Sequence, residues 1–214
     1  MAKYVIVLFL FMGSFLTNKG QATCILCSQK LNFYLLPDFY TGVLSGFNGG
    51  YDLKCRKVMT NCGYYLGVKI GKNFSSFKFE GEVMWQRNTP HSFKVGSMFL
   101  DHISGNIQVL SLMANGFTDF YLKWPVRPFI GMGLGYAQTY GHWNGTLKNY
   151  MGNFFEIKEK MKFSFNKGGF AFQVIAGLKY IICLELEASL EYRYFDITNG
   201  LSNHKFGLAF TRIF

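Results

Sequence analysis

A two-residue period that returns along the chain constrains this sequence more than any other feature. In "KFGLAFTRIF", Phe206, Leu208, Phe210 and Phe214 fall on even positions, with Lys205, Gly207, Ala209 and Thr211 between them. Such alternation gives a strand one apolar face and one polar or small face. "LELEASLEYRY" repeats it, with Leu184, Leu186, Ala188, Leu190, Tyr192 and Tyr194 set against Glu185, Glu187, Ser189, Glu191 and Arg193. The same pattern runs through "FAFQVIAGLKY" from Phe170, "PFIGMGLGY" from Pro128, "FKFEGEVMW" from Phe77 and "YYLGVKIG" from Tyr64. Two weaker strands, "DFYTGVLSGFN" from Asp38 and "NIQVLSLMANGF" from Asn106, bring the number to eight. With 24 glycines and only four prolines, the composition suits glycine-punctuated strands better than helices.

The 214 residues suffice for one domain or one small barrel. No segment after the N-terminal region reaches the 18 consecutive apolar residues of a membrane helix. Each alternating segment has about the nine to eleven residues that a tilted membrane strand needs. The connections sort by length. Long links at about 49–60, 89–105 and 140–166 alternate with short ones at 72–75, 119–124 and 181–183, and a modest link at 199–202 closes the series. Membrane barrels sort their connections this way, with long loops on one side and tight turns on the other. The expected fold is therefore an all-β, eight-stranded, antiparallel up-and-down barrel over 38–214.

The first 22 residues read as a secretory signal peptide: Lys3, an apolar run from Tyr4 to Leu16, then small residues at Gly20 and Ala22. A short segment, 23–37, would precede the barrel. Export exposes all five cysteines to an oxidising compartment. Cys24–Cys27 and Cys55–Cys62 are each close enough in sequence for local disulfides, with Cys183 left over. A zinc site built from both pairs lacks a supporting histidine or third motif. The chain carries 22 Lys and Arg against 12 Asp and Glu; removing Lys3 and Lys19 with the signal leaves 20, so the exported protein is basic.

Which face meets which solvent follows from the charges. One face carries Glu80, Glu82, Glu185, Glu187 and Glu191 against Lys69, Lys78, Lys179, Arg193 and Lys205, five acids and five bases interleaved with Gly, Ala, Ser and Thr. An eight-stranded barrel has an interior just wide enough for side chains to fill, so these groups are expected to pair inside it. The apolar rows then face lipid, because a basic residue at the bilayer midplane costs about 2–4 kcal/mol and a one-residue slip would expose several. Tyr64, Trp85, Tyr136, Tyr180, Tyr192 and Phe214 fall near strand ends, where aromatic girdles sit.

At this point the chain resembles the small outer-membrane barrels of the OmpA and OmpX type. More narrowly, "LMANGFTDF", "RPFIGMGLGYA" and "LEASLEYRYFDI" followed by "NHKFGLAFTRIF" look like the surface-antigen barrels of intracellular Gram-negative bacteria. The resemblance implies an outer-membrane location, surface-exposed loops and periplasmic termini. It also implies that the last strand, with Phe206, Phe210 and Phe214 in phase, is read by the barrel-assembly machinery. Outer-membrane lipid and lipopolysaccharide are the implied surroundings, and host-cell glycans or proteins the implied partners.

Candidate chemistry is sparse. "GMGLGY" lacks G-x-G-x-x-G spacing and no helix follows, so Gly131, Gly133 and Gly135 read as the small face of a strand. Ser202 and His204 share the outward phase near a strand end, and a histidine can activate a serine for acyl transfer, as in a lipid A-modifying enzyme; no third group to orient the histidine is evident. A small pore is the other alternative, but eight strands leave no water channel. No cofactor is expected, and nucleic acid is not a partner of an exported barrel. The expectation is a non-enzymatic surface antigen or adhesin-like protein whose basic loops, carrying Lys54, Arg56, Lys57, Lys148, Lys158, Lys160, Lys162 and Lys167, attract lipopolysaccharide phosphates or acidic glycans in a salt-dependent way.

Overall fold

The chain divides into two units, Met1–Asn32 and Phe33–Phe214. The computed structural model describes residues 39–53, 56–60, 62–74, 77–95, 98–122, 125–151, 155–183, 185–198 and 201–214, all within the second unit. The signal-peptide reading and the Cys24–Cys27 pair lie outside the described residues.

The alternating segments form ten strands: β1 (Phe39–Leu53), β2 (Arg56–Thr60), β3 (Gly63–Phe74), β4 (Phe77–Asn88), β5 (Pro90–Val95), β6 (Met98–Asp119), β7 (Val126–Met151), β8 (Phe155–Cys183), β9 (Leu186–Ile197) and β10 (Leu201–Ile213). Eight of them, all but β2 and β5, close into an antiparallel ring in chain order, and β10 returns to pair with β1. Closure leaves no free edge in the ring, so the backbone groups of every stave are satisfied by its two neighbours. The seam runs from Tyr40↔Ile213 to Leu53↔Leu201, with one irregularity between Gly49 and Asp52. At the turn end of the ring, the Phe214 N–H donates to the Phe39 carbonyl at 2.9 Å.

The expected long loops take a more regular form. Residues 140–166 were expected as a loop, yet β7 and β8 pair without a break from Val126↔Tyr180 to Met151↔Phe155. Scattered Gly and Asn residues hide the period there, but odd positions such as Phe155, Ile157, Met161 and Phe163 alternate with Glu156, Lys158, Lys160 and Lys162. A ladder already nucleated in the barrel wall extends by satisfying backbone groups pair by pair. At 26 and 29 residues, these strands exceed the roughly 11 needed to cross a bilayer by about 15, or about 50 Å of extended chain. β8 meets β9 only from Ala171 to Cys183, so its first 16 residues outrun that neighbour. Links 49–60 and 89–105 are likewise mostly strand. β2 and β5 continue β3 and β4 past short interruptions and pair with each other, tying the extension of β1 to that of β6.

The burial pattern follows parity. In β3, odd residues are buried and even ones mostly exposed; in β4 the parity is reversed. Outward rows carry Val68, Leu112, Met132, Leu134, Phe170 and Leu208, with Phe170 76% exposed. Inward, three apolar clusters fill the ring between its polar groups: Ile107, Val109, Met113 and Phe195 with their neighbours towards the hairpin end, Leu44, Tyr65, Met84 and Ala209 beside the seam, and Phe117, Phe129 and Ile175 towards the turn end. Gly46 and Gly207 face one another across the seam. A Cβ on Gly207 would run into the Tyr65 phenol, so the bare backbone is what lets that ring lie across the closure.

Candidate functional site

The interior polar residues come from strands far apart in sequence, and the barrel's closure brings them together. Arg193 is the centre. Its two terminal nitrogens reach Glu82 Oε2 and Glu191 Oε2 at 2.5 Å each, and Nε donates to Glu191 Oε2 at 3.0 Å. Lys69 Nζ bridges Glu80 and Glu191 at 3.4 Å to each. Neutral donors complete the carboxylates: Asn115 Nδ2 to Glu80 and Glu82 at 3.2 and 3.3 Å, Ser189 Oγ to Glu191 at 2.7 Å and the Tyr40 hydroxyl to Glu80 at 3.3 Å. Buried charge is tolerable only when paired and hydrogen-bonded in this way.

A second cluster lies towards the turn end. Lys78 and Lys179 both hold Asp119, at 2.9 and 3.1 Å, and both approach Glu187, at 3.8 and 3.6 Å. The sequence hides Asp119 because it sits where β6 gives way to a turn. Its parity with Phe117 and Asn115 was the available signal.

Two expected members of the interior network stand elsewhere. Glu185 has inward parity but lies beyond the end of the ring, exposed and 3.5 Å from Arg212. Lys205 is fully buried, yet among the described residues it has no carboxylate within salt-bridge range. Its Nζ instead lies 3.7 Å from the centroid of the Phe195 ring and 3.5 Å from Met84 Sδ, an arrangement that sets the ammonium against a ring face and a polarisable sulfur. With Asp119 replacing Glu185, the buried positions of inward parity among the described residues carry five acids (Glu80, Glu82, Asp119, Glu187, Glu191) and five bases (Lys69, Lys78, Lys179, Arg193, Lys205); Asp196 is buried as well, on the opposite parity at the upper end of β9. The cavity left among Tyr40, Lys69, Glu80, Phe117 and Glu187 is about 20 Å³, room for about one water.

Outside the ring, Phe206, Phe210 and Phe214 form an exposed row along β10. Lys162 and Lys167 are exposed on β8. Arg56, Lys57, Lys148, Lys158 and Lys160 have their backbone in strands; Lys54 and Cys55 lie outside the described residues. Cys62 carries an exposed free thiol and Cys183 a half-buried one. The register places Lys148 opposite Lys158 and Asn144 opposite Lys162 on one face of the β7–β8 ladder. Ser202 pairs with Asp196 across β9 and β10, and the group missing beside His204 in the sequence is Tyr192, whose hydroxyl lies 2.7 Å from His204 Nδ1.

Comparison with known proteins agrees with this architecture. The model of the outer membrane protein beta-barrel domain matches residues 29–214. No curated protein matches the sequence. Among solved structures, the chain is similar to Neisserial surface protein A at 14% identity and a TM-score of 0.52, with 82% of this chain and 97% of that one covered. It is also similar to OprG of Pseudomonas aeruginosa, at 13% identity and a TM-score of 0.48 with 82% and 96% covered. Ail, the attachment invasion locus protein of Yersinia pestis, gives 13% and 0.47 with 83% and 99% covered.

Proposed function

Because the chain belongs to the outer-membrane protein β-barrel family, and so resides in the outer membrane of a Gram-negative bacterium, we propose that it is a non-enzymatic surface protein that uses a filled barrel to hold the β7–β8 hairpin out from the cell. The observation that carries this reading is the unbroken ladder from Val126↔Tyr180 to Met151↔Phe155. A lumen packed with ion pairs and apolar clusters has no room for transport or for a substrate, whereas a rigid, lysine-bearing projection suits contact. Binding residues on a stiff scaffold lose less entropy on engagement than the same residues on a slack loop.

Lys148, Lys158, Lys160 and Lys162 share one parity of that ladder with Glu156, and Glu159 is the one acid on the other parity between Lys148 and Lys162. The partner we infer is a polyanion, an acidic glycan or glycoprotein of a host surface, attracted over a distance that shortens with salt. Phe206, Phe210 and Phe214 on the closing strand serve, in this reading, as the strip that the barrel-assembly machinery grips during insertion.

The test is attachment of whole bacteria to host cells at low and high salt. It compares the intact chain with one whose 141–165 segment is replaced by a two-residue turn. Attachment that drops with the truncation, and drops with salt only in the intact chain, supports the reading. Equal attachment by both retires it and leaves a structural role.

A further inference from the structure

The outer wall of the barrel carries a second feature that the hairpin reading does not use. Beside the seam, one small residue interrupts the outward apolar rows: Ser45 lies next to Phe47 along β1, with Leu208 paired to it on one side and Leu66 on the other. The result is an apolar trough of about 600 Å³ that also takes in Tyr64, Trp85 and Phe206 and spans five staves, from β4 to β9. It faces the bilayer, so its occupant is lipid.

What distinguishes the trough from ordinary barrel wall is its upper rim. Arg87 sits ten positions above the start of β4 at Phe77 (87 − 77), and His204 nine above the end of β10 at Ile213 (213 − 204). At about 2.5 Å of height per residue in a tilted strand, both reach the upper limit of an apolar band about 25 Å tall. Arg87 is half-buried and outward, and forms no ion pair among the described residues. His204 is exposed, stacked on Tyr192 and bonded to its hydroxyl through Nδ1. With Nδ1 engaged by that hydroxyl, Nε2 is the ring nitrogen left facing away from the bond. Between the two rim residues lies Gly49, which pairs with His204 and would leave even a Cβ in open space. β4 and β10 are three strand spacings apart, about 14 Å, too far for a single phosphate to touch both.

We propose that this trough and rim form a binding site for a multiply acylated, bis-phosphorylated disaccharide lipid of the outer leaflet. One or two of the acyl chains occupy the trough over Ser45, the sugar lies over Gly49, one phosphate meets the Arg87 guanidinium and the other the His204 imidazole. Guanidinium matches phosphate geometry well. The inference uses the outer-membrane location of the barrel but not the adhesive role of the hairpin, which lies on other strands.

The test is native mass spectrometry of the full chain released from detergent after incubation with one of three probes: hexa-acyl bis-phosphoryl lipid A, its monophosphoryl form, or phosphatidylglycerol. We expect one bis-phosphoryl lipid A retained per chain and about tenfold less retention of phosphatidylglycerol, with the monophosphoryl form between them. Ser45→Phe fills the trough and should bring lipid A down to the phosphatidylglycerol level. Arg87→Gln should erase the difference between the bis- and monophosphoryl forms. Ala114→Phe, an equal enlargement on an outward position of β6, should change nothing; the heat-modifiable gel shift checks that each variant folds. Equal retention of phosphatidylglycerol, wild-type retention by folded Ser45→Phe or Arg87→Gln, or equal loss in Ala114→Phe would each overturn the site.

Discussion

The guanidinium of Arg193 meets the carboxylate of Glu82 at 2.5 Å with both side chains fully buried, although 111 positions separate the two residues. Neither charge is tolerable there alone, and the pair exists only once β4 and β9 face each other across a closed ring. Arg193→Met therefore takes from Glu82 its basic partner, leaves Glu191 to Lys69 and Ser189, and should cost about 3–5 kcal/mol. Urea titration in lipid vesicles measures it. The double variant Arg193→Met, Glu82→Gln should recover part of that loss; a double variant no more stable than the single one would contradict the pairing.

Lys205 should behave differently from the other buried bases. It rests on Phe195 and Met84 with no carboxylate in range among the described residues, so Lys205→Met removes a desolvated, unpaired charge and should leave stability unchanged or raise it by about 1 kcal/mol. Lys78→Met breaks contacts to Asp119 and Glu187 and should cost about 3 kcal/mol. Equal losses in the two unfolding titrations would refute the distinction.

The seam tests close packing. Gly207→Ala places a methyl against the Tyr65 phenol and should destabilise by about 1–3 kcal/mol through overpacking. Tyr65→Leu removes the phenol but not the Ser45 carbonyl oxygen that the added methyl also meets, so Gly207→Ala, Tyr65→Leu should return only part of the loss, read as the folded fraction in a heat-modifiable gel.

Depth sets the cost of charge on the outer wall. Val68 is outward near the middle of β3, and Tyr64 is outward near its upper end. Val68→Arg should cost about 2–4 kcal/mol and Tyr64→Arg about 0–1 beyond the lost ring. A reversed order in vesicle titrations would mean that the bilayer lies elsewhere on the barrel.

Conductance is the simplest check on the filled lumen. With only about 20 Å³ open among its charges, the barrel should pass no large, stable current in planar bilayers at 1 M salt. Replacing Arg193, Lys69 and Glu82 together by Ala opens a polar path and should create one.

Much of this was legible in the sequence. Where one face is apolar and the other ionic, as in Leu186 to Tyr194, parity gave both the strand and the side facing lipid. It failed where both faces are apolar: nothing in "NIQVLSLMANGF" says that Val109 and Met113 turn inward and Leu110 and Leu112 outward. Parity also gives a face but not a height. Glu185 has the right face and lies past the end of the ring, and Asp119 has the right face beside a turn. Partners stayed hidden because pairing depends on which staves oppose each other across the lumen, and no local pattern encodes that Lys205 faces Phe195 and not an acid. The β7–β8 projection looks like a loop in the sequence because glycine and asparagine interrupt its rhythm, while a ladder already running tolerates them.

Since β8 outruns β9 over its first 16 residues, Phe155 to Phe170, that stretch presents backbone donors and acceptors on one flank with no strand beside it among the described residues. An uncovered flank of that length is a template for strand addition, and natural sheets guard such templates with lysine. Lys158, Lys160 and Lys162 fall at every second position of that stretch, the kind of charge that discourages a second copy from adding its own strand there.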